Sequence, residues 1–185
     1  PVSGFAMEGI EALTKADAEH IARLGLTCRL WARAERRADG ALSAFVEPAL
    51  FRSEHPACTV TLNGNLAYYT GGAAGTITLL GQGAGRWPTA SAVLRDLTGI
   101  PLGLRHQLPP ECGFCQAENS SVLRQYYVRC SPDLAADLPV EAILERGDVT
   151  RLRTKPMPVP EAHAWLCQVR AQKNSVFFAG IEEKL

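Results

Sequence analysis

A glycine loop set between a strand and a helix constrains this chain more than any other stretch. Gly75-Thr76-Ile77-Thr78-Leu79-Leu80 is β-branched and apolar, the composition of a buried strand. It runs directly into Gly81-Gln82-Gly83-Ala84-Gly85-Arg86-Trp87-Pro88. Glycines at alternate positions permit positive φ and let a ligand approach the main chain closely. Pro88 pre-sets φ for a first helical turn and gives up an amide that has no helical partner there. Strand, loop and helix start in this order expose main-chain amides at the positive end of a helix, which suits a phosphate. The same order also makes a plain tight turn with no ligand.

Two common nucleotide-binding patterns are excluded. A Rossmann fingerprint needs Gly-x-Gly-x-x-Gly, and its last place is Arg86 counted from Gly81 and Pro88 counted from Gly83. No acidic residue ends a strand about 20 residues further on. No Gly-Lys-Ser/Thr follows, so the loop is not a P-loop either.

The 185 residues allow one medium domain or two small ones. The 19 basic and 19 acidic side chains cancel, which argues against nucleic acid and against an anionic membrane surface as partners. No apolar run is long enough to span a membrane. Pro1-Val2-Ser3-Gly4-Phe5 carries no secretory pattern and no initiator Met, so the start reads as processed, proteolysed or cut from something longer. The cysteines Cys28, Cys58, Cys112, Cys115, Cys130 and Cys167 are sparse and sit in apolar runs, as reduced thiols of a cytoplasmic protein do.

In chain order, residues 1–13 read as irregular or as an edge segment. Thr14 with Asp17 forms a capping box for a helix to about Leu24, stopped by Gly25. Leu26 to Ala34 and Leu42 to Pro48 read as a hairpin around Asp39-Gly40. Thr59 to Leu62 and Leu66 to Thr70 are short strand candidates around Asn63-Gly64-Asn65. Thr89 to Thr98 reads as a helix with Val93, Leu94 and Leu97 as its apolar stripe. Pro101, Pro109, Pro110 and Asn119-Ser120-Ser121 mark 106–121 as a linker. Beyond it, Val122 to Cys130 and Val149 to Thr154 read as strands, 138–146 as a helix and 163–171 as a strand. The last segment, with Phe177, Phe178 and Ile181, fits either a helix capped by Asn174 or a strand.

The residues from Asn65 to Val93 resemble homoserine dehydrogenase. The resemblance lies in Asn65-Leu66-Ala67, Gly75 and, above all, Gly83-Ala84-Gly85-x-x-Pro88-Thr89-Ala90-Ser91-Ala92-Val93 with an acid at Asp96. The flanks agree: Glu8-Gly9-Ile10, the hairpin to Glu47-Pro48-Ala49-Leu50, and His55-Pro56-Ala57. It is strongest over residues 7–100. It implies an α+β fold, a mixed β-sheet with helices packed on one face, over 1–105. A diverged ACT-like (ferredoxin-like) α+β unit over 122–185 would follow the linker.

The resemblance also implies the chemistry. The family interconverts L-homoserine and L-aspartate 4-semialdehyde with NAD or NADP, in threonine, methionine and isoleucine biosynthesis. Its dinucleotide domain, catalytic lysine and acids lie upstream of this stretch, so no catalytic residue is assigned here. Gly83, Ala84, Gly85 and Thr89 would lie against the cofactor; without it, the loop would only pack the sheet edge on the next helix. Lys15 reads as solvated surface. The family's dimer implies a homodimer through the sheet. The second reading is a non-catalytic oligomerisation or amino-acid-sensing module. Ser131-Pro132-Asp133-Leu134-Ala135-Ala136-Asp137 lacks the glycine of an effector-binding ACT turn, which favours a pairing surface over threonine feedback. Cys112-Gly113-Phe114-Cys115 is one Cys-x-x-Cys without a second pair, so no metal site is assigned. His20, His55, His106 and His163 are scattered and read as surface or loop.

Overall fold

The computed structural model describes residues 2–104, 115–172 and 175–182. His106 and Cys112 lie outside the described residues, so the Cys-x-x-Cys expectation does too. Two compact units emerge: Pro1–Ser53 with Phe114–Leu185, and Glu54–Gly113.

The first unit begins with two short strands, β1 (Val2–Ser3) and β2 (Ala6–Met7). Helix α1 (Lys15–Arg23) starts at the expected capping box. Thr14 Oγ1 accepts the Asp17 N–H at 3.2 Å, and Asp17 Oδ2 accepts the Thr14 N–H at 3.1 Å. Gly25, at φ +74°, ends it in the left-handed turn that glycine adopts without strain. β3 (Leu26–Arg36) and β4 (Leu42–Arg52) then pair along their full lengths, from Leu26 opposite Arg52 to Arg36 opposite Leu42.

The chain returns to this unit with β7 (Cys115–Gln116), after the second unit has contributed β5 (Gly64–Gly71), β6 (Gly75–Gln82) and α2 (Arg86–Gly99). β7 pairs in parallel with β1. β8 (Leu123–Arg124), β9 (Tyr126–Cys130), a 3₁₀ turn (Leu134–Asp137), β10 (Val140–Glu145), β11 (Thr150–Thr154), β12 (Met157–Pro158), α3 (Val159–Ala171) and β13 (Phe177–Ile181) follow. Two expectations fail here. Residues 140–145 are a strand, because Val140, Ala142 and Leu144 alternate with exposed neighbours. Residues 159–171 are a helix, because Val159, Ala162, His163, Leu166 and Val169 recur at the helical period and share one buried face. The last segment takes the strand alternative.

The main sheet runs β10-β11-β9-β13-β4, with β3 on the other edge of β4. β13 and β2 both lie parallel to β4, at Ala49–Leu50 and Phe45–Val46 respectively, so the sheet is mixed. The strands expected in a separate tail therefore share one sheet with the N-terminal hairpin. The expected linker is pinned to it as well. Asn119 is buried, accepts the Ala44 N–H at 3.0 Å and donates to the Ala44 and Gly4 carbonyls.

Helices cover both faces of this sheet. Tyr126, Val128, Leu152 and Phe178 face α3 through Ala162, Leu166 and Val169. Tyr127, Phe177 and Ala179 face the other way and meet Ile21 of α1. Successive strand residues point to opposite faces, which is why neighbours in sequence serve different cores.

Each face also holds a buried ionic cluster. On the α3 face Glu47, 1% exposed, lies 2.9 Å from Arg124 Nε and 2.9 Å from His163 Nε2. Tyr126 donates its hydroxyl to the same carboxylate at 3.4 Å. Arg124 also pairs with Glu182 at 2.8 Å. On the α1 face the fully buried Asp17 takes Arg129 Nε at 3.2 Å and Arg151 at 3.4 Å. Arg129 further donates to the Ala12 carbonyl and to Ser175. Buried charges persist only when paired like this.

Candidate functional site

The glycine loop lies in the second unit, which is a hairpin followed by a helix. A 3₁₀ turn covers Pro56–Thr59, where a strand over 59–62 is expected from the sequence. Pro56 opens it, and the His55 ring accepts the Ala57 N–H at 3.1 Å as its cap. β5 (Gly64–Gly71) and β6 (Gly75–Gln82) pair antiparallel, with Asn65 opposite Gly81 and Gly64 opposite Gln82. Helix α2 (Arg86–Gly99) follows after three loop residues.

That register puts Asn63 and Asn65 beside the loop. The Asn63 carbonyl accepts the Gly83 N–H at 2.9 Å, and the Asn63 side-chain amide donates to the Ala84 carbonyl. A Cβ at Gly83 would fall 1.5 Å from Asn65 Nδ2, so any side chain there would have to displace the Asn65 amide. Gly85 caps α2 at φ +110° and ψ 158°, a conformation essentially restricted to glycine. Its carbonyl accepts the Thr89 N–H at 3.1 Å.

The structure thus brings Gly83, Ala84, Gly85 and Thr89 into one continuous turn. No side chain caps α2, and its first turn carries no acid. Arg86 instead begins the helix and stacks on Trp87 at 5.2 Å. A cation there opposes the helix dipole and adds to the positive field at the loop. Open hollows flank the hairpin end, one of ≈ 290 Å³ lined by residues 59–64 and 80–82, the other of ≈ 330 Å³ lined by 65–67 and 79–83.

The apolar stripe expected on α2 faces solvent: Val93, Leu94 and Leu97 are all more than half exposed. Tyr69, Leu79 and Leu80 on the hairpin are exposed too. A two-stranded hairpin is marginal alone in water, and so much bare apolar surface is unusual for a folded unit.

Sequence reasoning gave Asn63 no more than a turn. The signal was its spacing: two asparagines two residues apart, at the start of the strand that pairs with the glycine-bearing one. Elsewhere, burial pushes the Cys28 thiol up to about 12 and the Cys130 thiol up to about 11, which favours the unreactive protonated form of both. Among the described residues no cluster of His, Cys, Asp and Glu could hold a metal ion. No described helix is long and apolar enough to cross a membrane.

The two units make the chain an α+β protein, one unit presenting the glycine loop and the other carrying the mixed sheet. Comparison makes that class specific. The sequence model of the family described as homoserine dehydrogenase matches residues 1–98, more than half of the chain, and the chain belongs to that family. It is 37% identical over 99 residues to an NAD(+)-dependent homoserine dehydrogenase of Pseudomonas canavaninivorans, covering 54% of this chain and 28% of that protein. It is 45% identical over 94 residues to the homoserine dehydrogenase of Mycobacterium leprae, covering 49% and 21%. In fold it resembles a solved homoserine dehydrogenase from Thiobacillus denitrificans, with TM-score 0.67 and 24% identity over 97% of this chain and 48% of that one. A Staphylococcus aureus homoserine dehydrogenase structure gives 0.57 and 22%, over 96% and 47%. The chain therefore spans about half the length of the solved relatives, and the stretch it shares with the curated ones covers about a quarter of theirs.

Proposed function

We propose that this chain is the C-terminal part of a homoserine dehydrogenase, and that it completes a nicotinamide site whose main walls belong to an N-terminal half. In that reaction a hydride leaves the substrate carbinol carbon for the nicotinamide ring, and a base takes the hydroxyl proton. Gly83, Ala84, Gly85 and Thr89 are assigned to cofactor contact, with NAD or NADP left open. The supporting observation is the bare, pre-shaped turn at Gly83–Gly85 with an uncapped helix behind it. The proton-transfer lysine and acids of the family are assigned to the absent half.

Two further assignments go with this reading. The exposed apolar surface of the hairpin fits a homodimer contact, as in the resemblance. The order β10-β11-β9-β13, with α3 between β12 and β13, is that of a ferredoxin-like unit and supports an ACT-like tail whose first helix has shrunk to Leu134–Asp137. α1 packs on the second face of that sheet, Ile21 against Tyr127, Phe177 and Ala179, which leaves less of it for tail-to-tail pairing. A cytoplasmic site of action fits a biosynthetic enzyme with protonated thiols.

The experiment is a reconstitution. The purified chain alone shows no NADPH-dependent reduction of aspartate semialdehyde, and turnover appears when the N-terminal half is supplied. Turnover by the chain alone would show that the missing lysine is dispensable. A complex with no turnover would favour the non-catalytic module.

A further inference from the structure

We propose that Asn63 is a positioning residue that turns the Gly85 amide toward the cofactor. The proposal rests on the cofactor-contact reading above. Asn63 holds two successive residues of the turn and lies beside the third. Its carbonyl holds the Gly83 N–H at 2.9 Å, and its side chain holds the Ala84 carbonyl. A Cβ on Gly85 would stand 3.2 Å from the same Nδ2.

The consequence follows from peptide geometry. In a trans peptide the C=O and the next N–H point in opposite directions. With the Ala84 carbonyl drawn to Asn63, the Gly85 N–H is turned away from it. It is thereby free to donate to an acceptor outside the loop, such as a phosphate or carboxamide oxygen. A clamp serving stability alone would aim that amide inward, at a protein partner.

Leu62 bears the cost of this arrangement. It is the one described non-glycine residue at positive φ, +53°, and its side chain is fully exposed. Leucine gains nothing from a left-handed conformation in open solvent. The turn at Leu62 is what swings Asn63 beneath the loop, so the strain serves the residue after it. Asn65 completes the seat by occupying the space above Gly83.

The test uses the full chain and amide NMR. Asn63→Ala removes the donor; Asn63→Asp keeps the shape but cannot donate when ionised. Both should raise the exchange of the hydrogen-bonded Gly83 and Thr89 amides at least about tenfold, the weight of one hydrogen bond, while the β5–β6 ladder keeps its protection. Asn63→Gln, which retains the donor, should recover most of the protection. In the native chain millimolar NADPH should shift the Gly85 amide, and Asn63→Ala should weaken that response by about fivefold or more. Unchanged exchange in Ala and Asp variants, or an undiminished NADPH response in Asn63→Ala, overturns the role of Asn63. If the variants loosen the loop but NADPH shifts nothing in the native chain even when joined to the N-terminal half, the cofactor-contact reading falls, and the ligand half of this proposal falls with it.

Discussion

Glu47 on β4 meets His163 on α3 at 2.9 Å, so a strand of the N-terminal hairpin and a helix more than a hundred residues later share one buried carboxylate. Arg124 and Tyr126 converge on the same group. Removing the carboxylate strands these donors in a dry setting. Glu47→Ala should therefore cost about 3 kcal/mol, the usual penalty for breaking a buried pair from one side. Urea unfolding of the chain measures it. A loss below about 1 kcal/mol would mean that Glu182 alone satisfies Arg124.

Gly180 owes its identity to that pair. A Cβ there would lie 2.4 Å from both Arg124 Nη2 and Glu47 Oε1. Gly180→Ala should destabilise by about 1–3 kcal/mol through overpacking. Made in the Glu47→Ala background, the same change should cost less, because one of the two obstacles is gone and Arg124 is no longer held in place by Glu47. Equal costs in both backgrounds would separate Gly180 from the ion pair.

His20 should give the fold an acid-sensitive edge. Burial holds its pKa below 6.5, with Arg151 and Arg23 pushing the same way and Glu145 and Asp17 opposing. Its Nδ1 lies 3.2 Å from the Tyr127 hydroxyl. The folded state thus prefers neutral His20, and the unfolded state takes up a proton first. This contribution is complete above pH 6.5 and declines as pH falls from there toward the lowered folded-state pKa. Urea midpoints between pH 5 and 8 should fall more on the acid side in the native chain than in His20→Gln. Parallel profiles would assign the acid sensitivity to other groups.

Leu62→Asn should stabilise the chain by about 0.5–1 kcal/mol, since asparagine tolerates the left-handed region and no contact of Leu62 is lost. The Gly83 and Thr89 amides should stay protected. A drop in stability would show that the Leu62 side chain packs on something in solution.

Gly85→Val addresses the loop directly. Valine is barred from φ +110° by its branched Cβ, so the turn must refold. Amide shifts should change from Gly83 to Thr89 while the β5–β6 ladder persists. Intact shifts through the loop would mean that glycine is not required there.

The sequence was most legible where local chemistry decides the outcome. Thr14 and Asp17 gave the start of α1, Gly25 its end, and Asp39-Gly40 the hairpin turn, because caps and turns are settled by adjacent residues. The glycine loop was legible through its motif. Long-range choices were hidden. Trp165, Cys167 and Val169 alternate well enough to suggest a strand, yet the residues that pack are Ala162, Leu166 and Val169. Only the sheet beneath them reveals which period is buried. Asp17 was legible as a capping acid and Glu47 as a strand residue, but their buried ion pairs were not, since nothing near them in sequence supplies Arg129 or Arg124. Asn119 looked like part of a linker because its partner, Ala44, lies 75 positions away.

β13 lies between β9 and β4, in the interior of the sheet, yet it is made after every strand it joins. During synthesis the hairpin and the β9–β11 set must wait with open edges until residues 177–181 arrive to bridge them. Closing that gap brings together segments more than a hundred positions apart, which slows folding and leaves unpaired edges open to other chains meanwhile. A truncation before Phe177 should thus yield two adhesive half-sheets rather than a shortened version of this fold.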